Sequence, residues 1–273
     1  MKAFWLCADD YAQNAEISAG IRDLYAMKRV NAISCMTNMP LWAEEGCKLV
    51  DLHDGGYVGL HLNLTQGDAL SSAWQKKYGQ TFRSLGWVMT HRLSRDVLRA
   101  ECQAQLTAFC QVMGRMPDFV DGHQHVHQFP QIADVMMSLL DVNQFRGMLR
   151  VSANPEWQKI FSLKGAVIAL WGGWRLRRLL NTRSIACNTS FSGIYAFSDA
   201  QHYSDYFKSF LAHTVDQGLI MCHPGHPSLD KTDPLQHSRY HEYLYLSSDI
   251  FLSDLKQYGM VLKQKGQIHD SSK

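Results

Sequence analysis

The sequence predicts an α/β fold, a parallel sheet or barrel with helices outside. Three observations lead there. Short apolar stretches that read as strands alternate with longer helical ones. Each strand runs out into polar residues. At 273 residues the chain can bury one large α/β core without staples. No internal repeat and no linker divides it, so a single domain over 1–262 with a polar tail at 263–273 is expected.

The elements follow in order. "AFWLCA" (3–8) is an apolar strand ending at Asp9, and a helix can follow from 14 to 28. "VNAISCM" is strand-like, 41–53 helical, and "GYVGLHLNL" places a third strand at 57–62. The clearest helix is 94–113. Ser94 stands where a cap belongs, and Leu98, Cys102, Leu106, Phe109 and Met113 form one stripe. Gly114 supplies the stop and Pro117 prevents continuation. "DFVDG" is the next strand, followed by a helix at 130–141 opened by Pro130. "RGMLRV" is strand-like, 200–217 helical, "GLIMCH" a strand, and 241–261 a last helix.

Residues 152–198 are less regular. "GAVIALWGGWRLRRLLNTR" reads as a helix interrupted at Gly172–Gly173, with Arg175, Arg177, Arg178 and Arg183 on its basic half. A solvated face, a lid over a site, or a patch resting on lipid headgroups all fit that pattern, so peripheral membrane contact stays open.

Composition narrows the class. Lys plus Arg is 27 and Asp plus Glu 25, a net charge of +2 that argues against a large nucleic-acid footprint. Seven cysteines without a CxxC pair suit buried free thiols in a reducing compartment. "MKAFWLCADD" meets its acidic pair too early for a secretory leader, and no apolar run approaches the ~20 residues that span a bilayer. A cytoplasmic location is the expectation. A homodimer is expected only because such dimers are common.

The chemistry gathers at strand ends: Asp9–Asp10, His61, Asp121–His127 and His223. In parallel α/β folds, loops from separate strands converge on one face, so these clusters can meet in space. Consecutive carboxylates point in different directions from an extended backbone, so one can hold a metal while the other faces substrate. The alternative is a solvated pair opening a helix. On an extended chain Asp121, His123, His125 and His127 would share a face, but a turn after Gly122 would break that arrangement. Imidazole with carboxylate suits Zn, Mn, Fe, Co or Ni, and Mg less. The spacing is neither that of a zinc finger nor HExxH. An Asp–His–His set with an open position is a catalytic arrangement, with a structural metal knot and a hydrogen-bonded loop as rivals.

"ADDYA", "GLHLNLTQG", "DGHQHVHQFP" and "CHPG", in this order over about 1–250, resemble the YdjC-like family of carbohydrate deacetylases. The resemblance implies a distorted (β/α) TIM-like barrel and one divalent metal ion (Zn, Co, Mn, Ni or Mg). It implies Asp10, His61 and His123 as metal ligands and Asp9 as general base. His223 would protonate the departing amine, His125 would orient substrate, His127 would support, and Arg150 would pair with Asp9 and tune it. The implied reaction removes an N-acetyl group from an amino sugar and releases acetate. "SFSGIYAFSD" with its basic lead-in is similar to the hopanoid-associated branch as well as to the chitooligosaccharide branch. That widens the implied partner from a free N-acetylated saccharide to a glycolipid, with Trp171 and Trp174 as candidates to meet an apolar moiety or, equally, to be core. The family pattern has Phe-Gly after the paired acids and three consecutive histidines later; here these are Tyr11-Ala12 and Gln124 between two histidines. Ala12 matters only if its backbone needs φ > 0. Rival readings are a metal-dependent phosphoester or cyclic-amide hydrolase and a non-catalytic sugar-binding protein. No GxSxG elbow supports a serine hydrolase.

Overall fold

The computed structural model describes residues 1–52, 55–153, 172–183 and 185–266. The elements run β1 (Lys2–Tyr11), α1 (Ala15–Ala26), β2 (Ala32–Cys35), α2 (Trp42–Leu52), β3 (Tyr57–Leu62), α3 (Ser72–Tyr78), α4 (Leu85–Thr90), α5 (Arg95–Met113) and β4 (Phe119–Gly122). A 3₁₀ turn at His123–Gln128 leads to α6 (Pro130–Val142) and β5 (Met148–Leu149). Then come α7 (Trp174–Arg183), β6 (Phe191–Ser192), a 3₁₀ turn at Phe197–His202, α8 (Tyr203–His213), β7 (Gly218–Cys222), α9 (Gln236–Ser247), α10 (Asp249–Gln257) and β8 (Met260–Leu262).

The strands are parallel in the order β5-β4-β3-β2-β1-β7-β6, with β8 on the first residues of β1. A single parallel bridge, Leu149 with Cys187, links the β5 edge to the segment entering β6. The sheet therefore curls into an incomplete barrel. This is the distorted TIM-like α/β fold that the sequence predicts.

Alternation along β1 explains why it reads as one apolar run. Phe4, Leu6 and Ala8 face the helices in the main core. Trp5 and Cys7 face the barrel interior with Ala32, Phe119, Met148, Phe191, Leu219 and Met221. The predicted α5 stripe is buried throughout, and Gly114 closes the helix at φ 66. Ser94 does occupy the cap position, but its hydroxyl makes no capping hydrogen bond.

Several expectations need correction. β1 does not stop before Asp9 but runs through Asp10 to Tyr11, with an irregularity in its β2 pairing between Ala8 and Tyr11. The single helix expected at 241–261 is two helices and a strand, because Ser248 ends α9 and caps α10 by accepting from the Phe251 N–H. The short helices α3 and α4 in the long β3–β4 crossover carry no sequence signal strong enough to predict them. The basic stretch is largely the solvated face expected: Arg175, Arg178 and Arg183 are exposed, Arg175 pairing with Asp134 at 2.7 Å and Arg183 with Asp141 at 3.1 Å at the surface, and only the half-buried Arg177 is tied inward, donating to the carbonyls of Asn188 and Ala153. Trp174 packs on the main core, whereas Trp171 lies outside the described residues. The start of the polar tail is tied down, since the Lys263 N–H donates to Phe4 O and the Lys265 N–H to Gly55 O. All seven cysteines are free thiols. Among the described residues, no helix is long and apolar enough to cross a membrane.

Candidate metal centre

The predicted strand-end clusters do meet. They form one wall of a cavity of about 1040 Å³ at the C-terminal ends of the strands. Asp10, His61 and His123 bring one ligand atom each to within 4.8 Å of one another. Asp10 reaches this position because the end of β1 is bent: its φ is 68°. Ala12 follows at φ 73°, in the left-handed region where an L side chain costs ~1–2 kcal/mol. The place where the family pattern has glycine is therefore one where glycine would be less strained. The Ser18 hydroxyl accepts from the Ala12 N–H at 3.0 Å and holds this turn.

The two acids part company as expected. Asp9 points inward and receives both Arg150 Nη atoms at 2.6 Å, a bidentate fork. Asp10 Oδ1 lies 2.9 Å from His123 Nδ1 and 3.3 Å from His61 Nε2, and its Oδ2 accepts from Arg239 Nη2 at 2.9 Å. Burial alone would raise the Asp10 carboxyl, yet His123 and Arg239 outweigh it and hold it well below the usual range.

Asp121 is the hub behind this wall. Its Oδ1 accepts from Ser34 at 2.5 Å and lies 2.7 Å from His61 Nδ1, while Oδ2 meets Arg150 Nη2 at 2.5 Å. The carboxylate fixes the proton on His61 Nδ1 and turns Nε2 toward Asp10, an outer partner of the kind metal-ligating histidines use. Burial would lower the His61 pKa, but Asp121 and Asp9 raise it to about 10. Cys7, Asp9 and Asp121 also lie within 4.8 Å of one another. The Arg150 guanidinium joins both of those acids, and burial pushes the Cys7 thiol up, so this group is an ion-pair network.

The charge balance supports a cation. Buried Asp9, Asp10, Asp121 and Asp233 face buried Arg150 and Arg239. Four carboxylates against two guanidiniums leave a surplus of negative charge that favours positive charge at the histidines, a proton on His61 or a divalent ion. The donor set of one carboxylate and two imidazoles suits Zn, Mn, Fe, Co or Ni. The residues present thus fit one divalent metal.

The remaining histidines do not line up as on a strand. Gln124 and His125 take φ 51° and 60° within the 3₁₀ turn, which splays the side chains. His125 lies 2.9 Å from Ser152 Oγ at Nδ1 and lines the cavity. His127 faces away, with Nε2–H donating to the Arg150 carbonyl at 2.9 Å, and burial lowers its pKa to about 4. His223 also lines the cavity, edge-on to Phe197 at 5.5 Å. Its backbone N–H donates to Glu242 Oε2 at 2.5 Å. Burial outweighs the pull of Asp10 and Asp9 and lowers the imidazole to about 4.

Sequence reasoning missed Arg239, Asp233 and Glu242. Arg239 Nε donates to Asp233 Oδ2 at 2.7 Å, and Glu242 accepts from Tyr195 OH at 2.8 Å. A signal existed: Ser238, Arg239 and Glu242 share the buried stripe of α9 with Tyr245 and Leu246, and charge on an apolar stripe implies a buried polar partner.

A curled parallel sheet with an Asp–His–His cluster at its strand ends defines the metal-site α/β-barrel class. The YdjC-like protein profile matches residues 3–257, and the chain belongs to that family. It is 29% identical over 143 residues to a carbohydrate deacetylase of Mus musculus, covering 49% of this chain and 45% of that protein. It is 31% identical over 133 residues to a chitooligosaccharide deacetylase of Proteus mirabilis, covering 47% and 51%. The chain spans about half the length of the curated relatives it matches. A solved structure from Enterococcus faecalis V583, provisionally named for cellobiose-phosphate cleavage, superposes with a TM-score of 0.71 at 18% identity, covering 96% of this chain and 97% of that one. That likeness concerns the fold.

Proposed function

We propose that this chain is a metal-dependent carbohydrate N-deacetylase that cleaves the N-acetyl group of an amino sugar, free or lipid-linked, to acetate and a free amine. One observation carries the reading: a carboxylate locked by a buried arginine, Asp9, stands beside the Asp10–His61–His123 triangle on the wall of a large cavity. Family membership and the names of the relatives support it. Asp10, His61 and His123 would hold the metal, which when bound supplies Lewis acidity toward an acyl carbonyl and water.

The chain's own residues divide the remaining work. Asp9 takes the proton of the attacking water, and Arg150 keeps its carboxylate oriented while doing so. His223 rests as the neutral imidazole at pH 7. It relays to the departing nitrogen, as the C–N bond breaks, the proton that Asp9 has taken from water, which returns both residues to their resting charge and releases the amine and acetic acid, which ionises to acetate. His125 faces the cavity with the ring nitrogen that Ser152 leaves free, where it can orient the sugar. The catalytic unit in this reading is one domain, 1–262. The free thiols and the absence of a CxxC pair fit a reducing, cytoplasmic setting.

The test is acetate release from N-acetylated oligosaccharides and glycolipids, with the protein reconstituted separately with Zn, Co, Mn, Ni and Mg. Metal-dependent acetate is expected. Release of phosphate from phosphorylated sugars instead, or binding of sugars without turnover under every metal, would overturn the reading.

A further inference from the structure

Asp10 is held from two sides. Its Oδ1 faces the imidazoles, 2.9 Å from His123 Nδ1 and 3.3 Å from His61 Nε2, while its Oδ2 accepts from Arg239 Nη2 at 2.9 Å. The neighbouring acid is treated differently, since Arg150 takes both oxygens of Asp9. Arg239 is buried, lines the cavity and is itself fixed. Its Nε donates to Asp233 Oδ2 at 2.7 Å, and Asp233 Oδ1 accepts from the Leu235 N–H at 3.0 Å, just before α9 begins. Nη2 also reaches Gln13 Oε1 at 3.2 Å. The Arg239 carbonyl accepts from the Gly225 N–H at 3.1 Å, which ties α9 to the loop that follows His223. The guanidinium therefore cannot swing away from Asp10 without breaking contacts to three other segments.

That placement has a chemical consequence. A carboxylate can give an ion one oxygen or two. One oxygen from Asp10 with one nitrogen from each of His61 and His123 is a three-ligand set that leaves room for water and a substrate carbonyl. A second oxygen would fill a position the reaction needs. We infer that Arg239 is a positioning residue for the metal: it occupies Asp10 Oδ2 so that Oδ1 alone is offered to the ion, and it thereby keeps a coordination position open for substrate. The inference rests on the metal-dependent reading above. The charge of Arg239 acts in the same sense. A cation beside Asp10 weakens the carboxylate's hold on the metal and leaves the metal a stronger Lewis acid. Removing Arg239 should therefore bind metal as well or better while slowing the reaction. A merely structural role predicts the opposite sign, because an unsupported Asp10 would turn away and the metal would be lost.

The experiment compares wild type with Arg239→Met, both loaded with Co. It reads Co affinity by chelator competition, acetate release at saturating Co, and the visible Co absorption, whose intensity falls as coordination number rises. In Arg239→Met the affinity should stay level or rise, the absorption should weaken, and kcat should fall ~10–100-fold, the usual cost of removing an outer partner of a metal ligand. An unchanged absorption, an unchanged kcat at saturating Co, or a Co affinity reduced about tenfold or more would each overturn the assignment. If Arg239→Met does not fold, the double variant with Asp233→Asn replaces it, since that change removes the second orphaned carboxylate. A crystal structure of the Zn-loaded wild type decides without any variant: Oδ1 alone on the ion, with Oδ2 still on Arg239, is expected, and both Asp10 oxygens on the ion would overturn the assignment. Wild type that binds Co but releases no acetate from any N-acetylated sugar would overturn the deacetylase reading, while affinity and absorption would still decide the role of Arg239. Wild type that binds no metal would overturn both.

Discussion

Replacing Arg150 with Met should be among the most damaging single changes in this protein. The side chain is fully buried and serves two carboxylates at once: both Nη atoms reach Asp9 at 2.6 Å, and Nη2 reaches Asp121 at 2.5 Å. Methionine fills much of the volume but leaves two buried carboxylates close together with their common counter-charge gone. Removing one partner of a buried ion pair costs ~3–5 kcal/mol. For a domain of this size each kcal/mol shifts Tm by roughly 2–4 °C, so a loss of about 6–20 °C is expected at pH 7. The loss should depend on pH. Burial pushes the Asp121 carboxyl up, but Arg150 first and His61 second hold it well below the usual range. A depressed carboxyl contributes stability above its unfolded pKa of about 3.9 and loses it as pH falls through the folded value. Without Arg150 the Asp121 carboxyl takes its proton at higher pH, and a neutral acid costs less to bury. The Tm gap between wild type and Arg150→Met should therefore narrow from pH 7 to pH 4, read by circular dichroism melts. A gap below about 2 °C, or one of equal size at both pH values, would refute the ion-pair reasoning.

Other consequences are as direct. Asp9→Asn should keep stoichiometric metal by elemental analysis yet lower kcat by ~100-fold or more, the usual cost of losing a general base; a metal-loaded variant with wild-type rate would remove Asp9 from that role. His61→Ala should lose metal and activity together in a chelator competition assay, and undiminished metal affinity would take His61 out of the ligand set. Glu242 is raised to about 7 by burial, so its contribution to stability is complete below about 4.3 and is lost as pH rises toward 7. Glu242→Gln stays neutral and should remove a pH-dependent loss of about 3 kcal/mol across that window. An unchanged slope of Tm against pH between 4.5 and 7 would show that the buried carboxyl is not the source.

Much of the site was legible because the chemistry needs residue types that composition makes conspicuous. Asp9, Asp10, His61, His123 and His223 each follow or end an apolar strand, and a parallel sheet brings strand ends together whatever their separation in sequence. The Arg150 pairing with Asp9 was expected and is present. Less of the support was readable. Arg239 and Glu242 arrive from α9, a helix whose polarity looks like an ordinary solvated face until the buried stripe is traced. Glu101 and Gln105 are likewise buried on α5, where they hold the backbone of Leu70, Ser71 and Asn63 and so shape the loop carrying Thr65 and Gln66 into the cavity.

The sequence by itself determined the α/β class, the alternation of strands and helices that builds such a sheet, and the identities of the chemical groups. These follow from short-range alternation, capping and polar strand ends, which local physics controls. Only the tertiary structure decided which groups touch. The left-handed bend at Asp10 aims one acid of a pair at the histidines while its neighbour meets Arg150. The 3₁₀ turn separates His123 from His125 and His127, which an extended strand would have aligned. Asp121 acquires its role only because β3 and β4 are in register at His61 and Asp121, and β5 places Arg150 alongside. Contacts of this kind join residues up to 229 positions apart, as in Arg239 with Asp10. No local pattern encodes them, because their energy depends on burial that exists only once the sheet has curled.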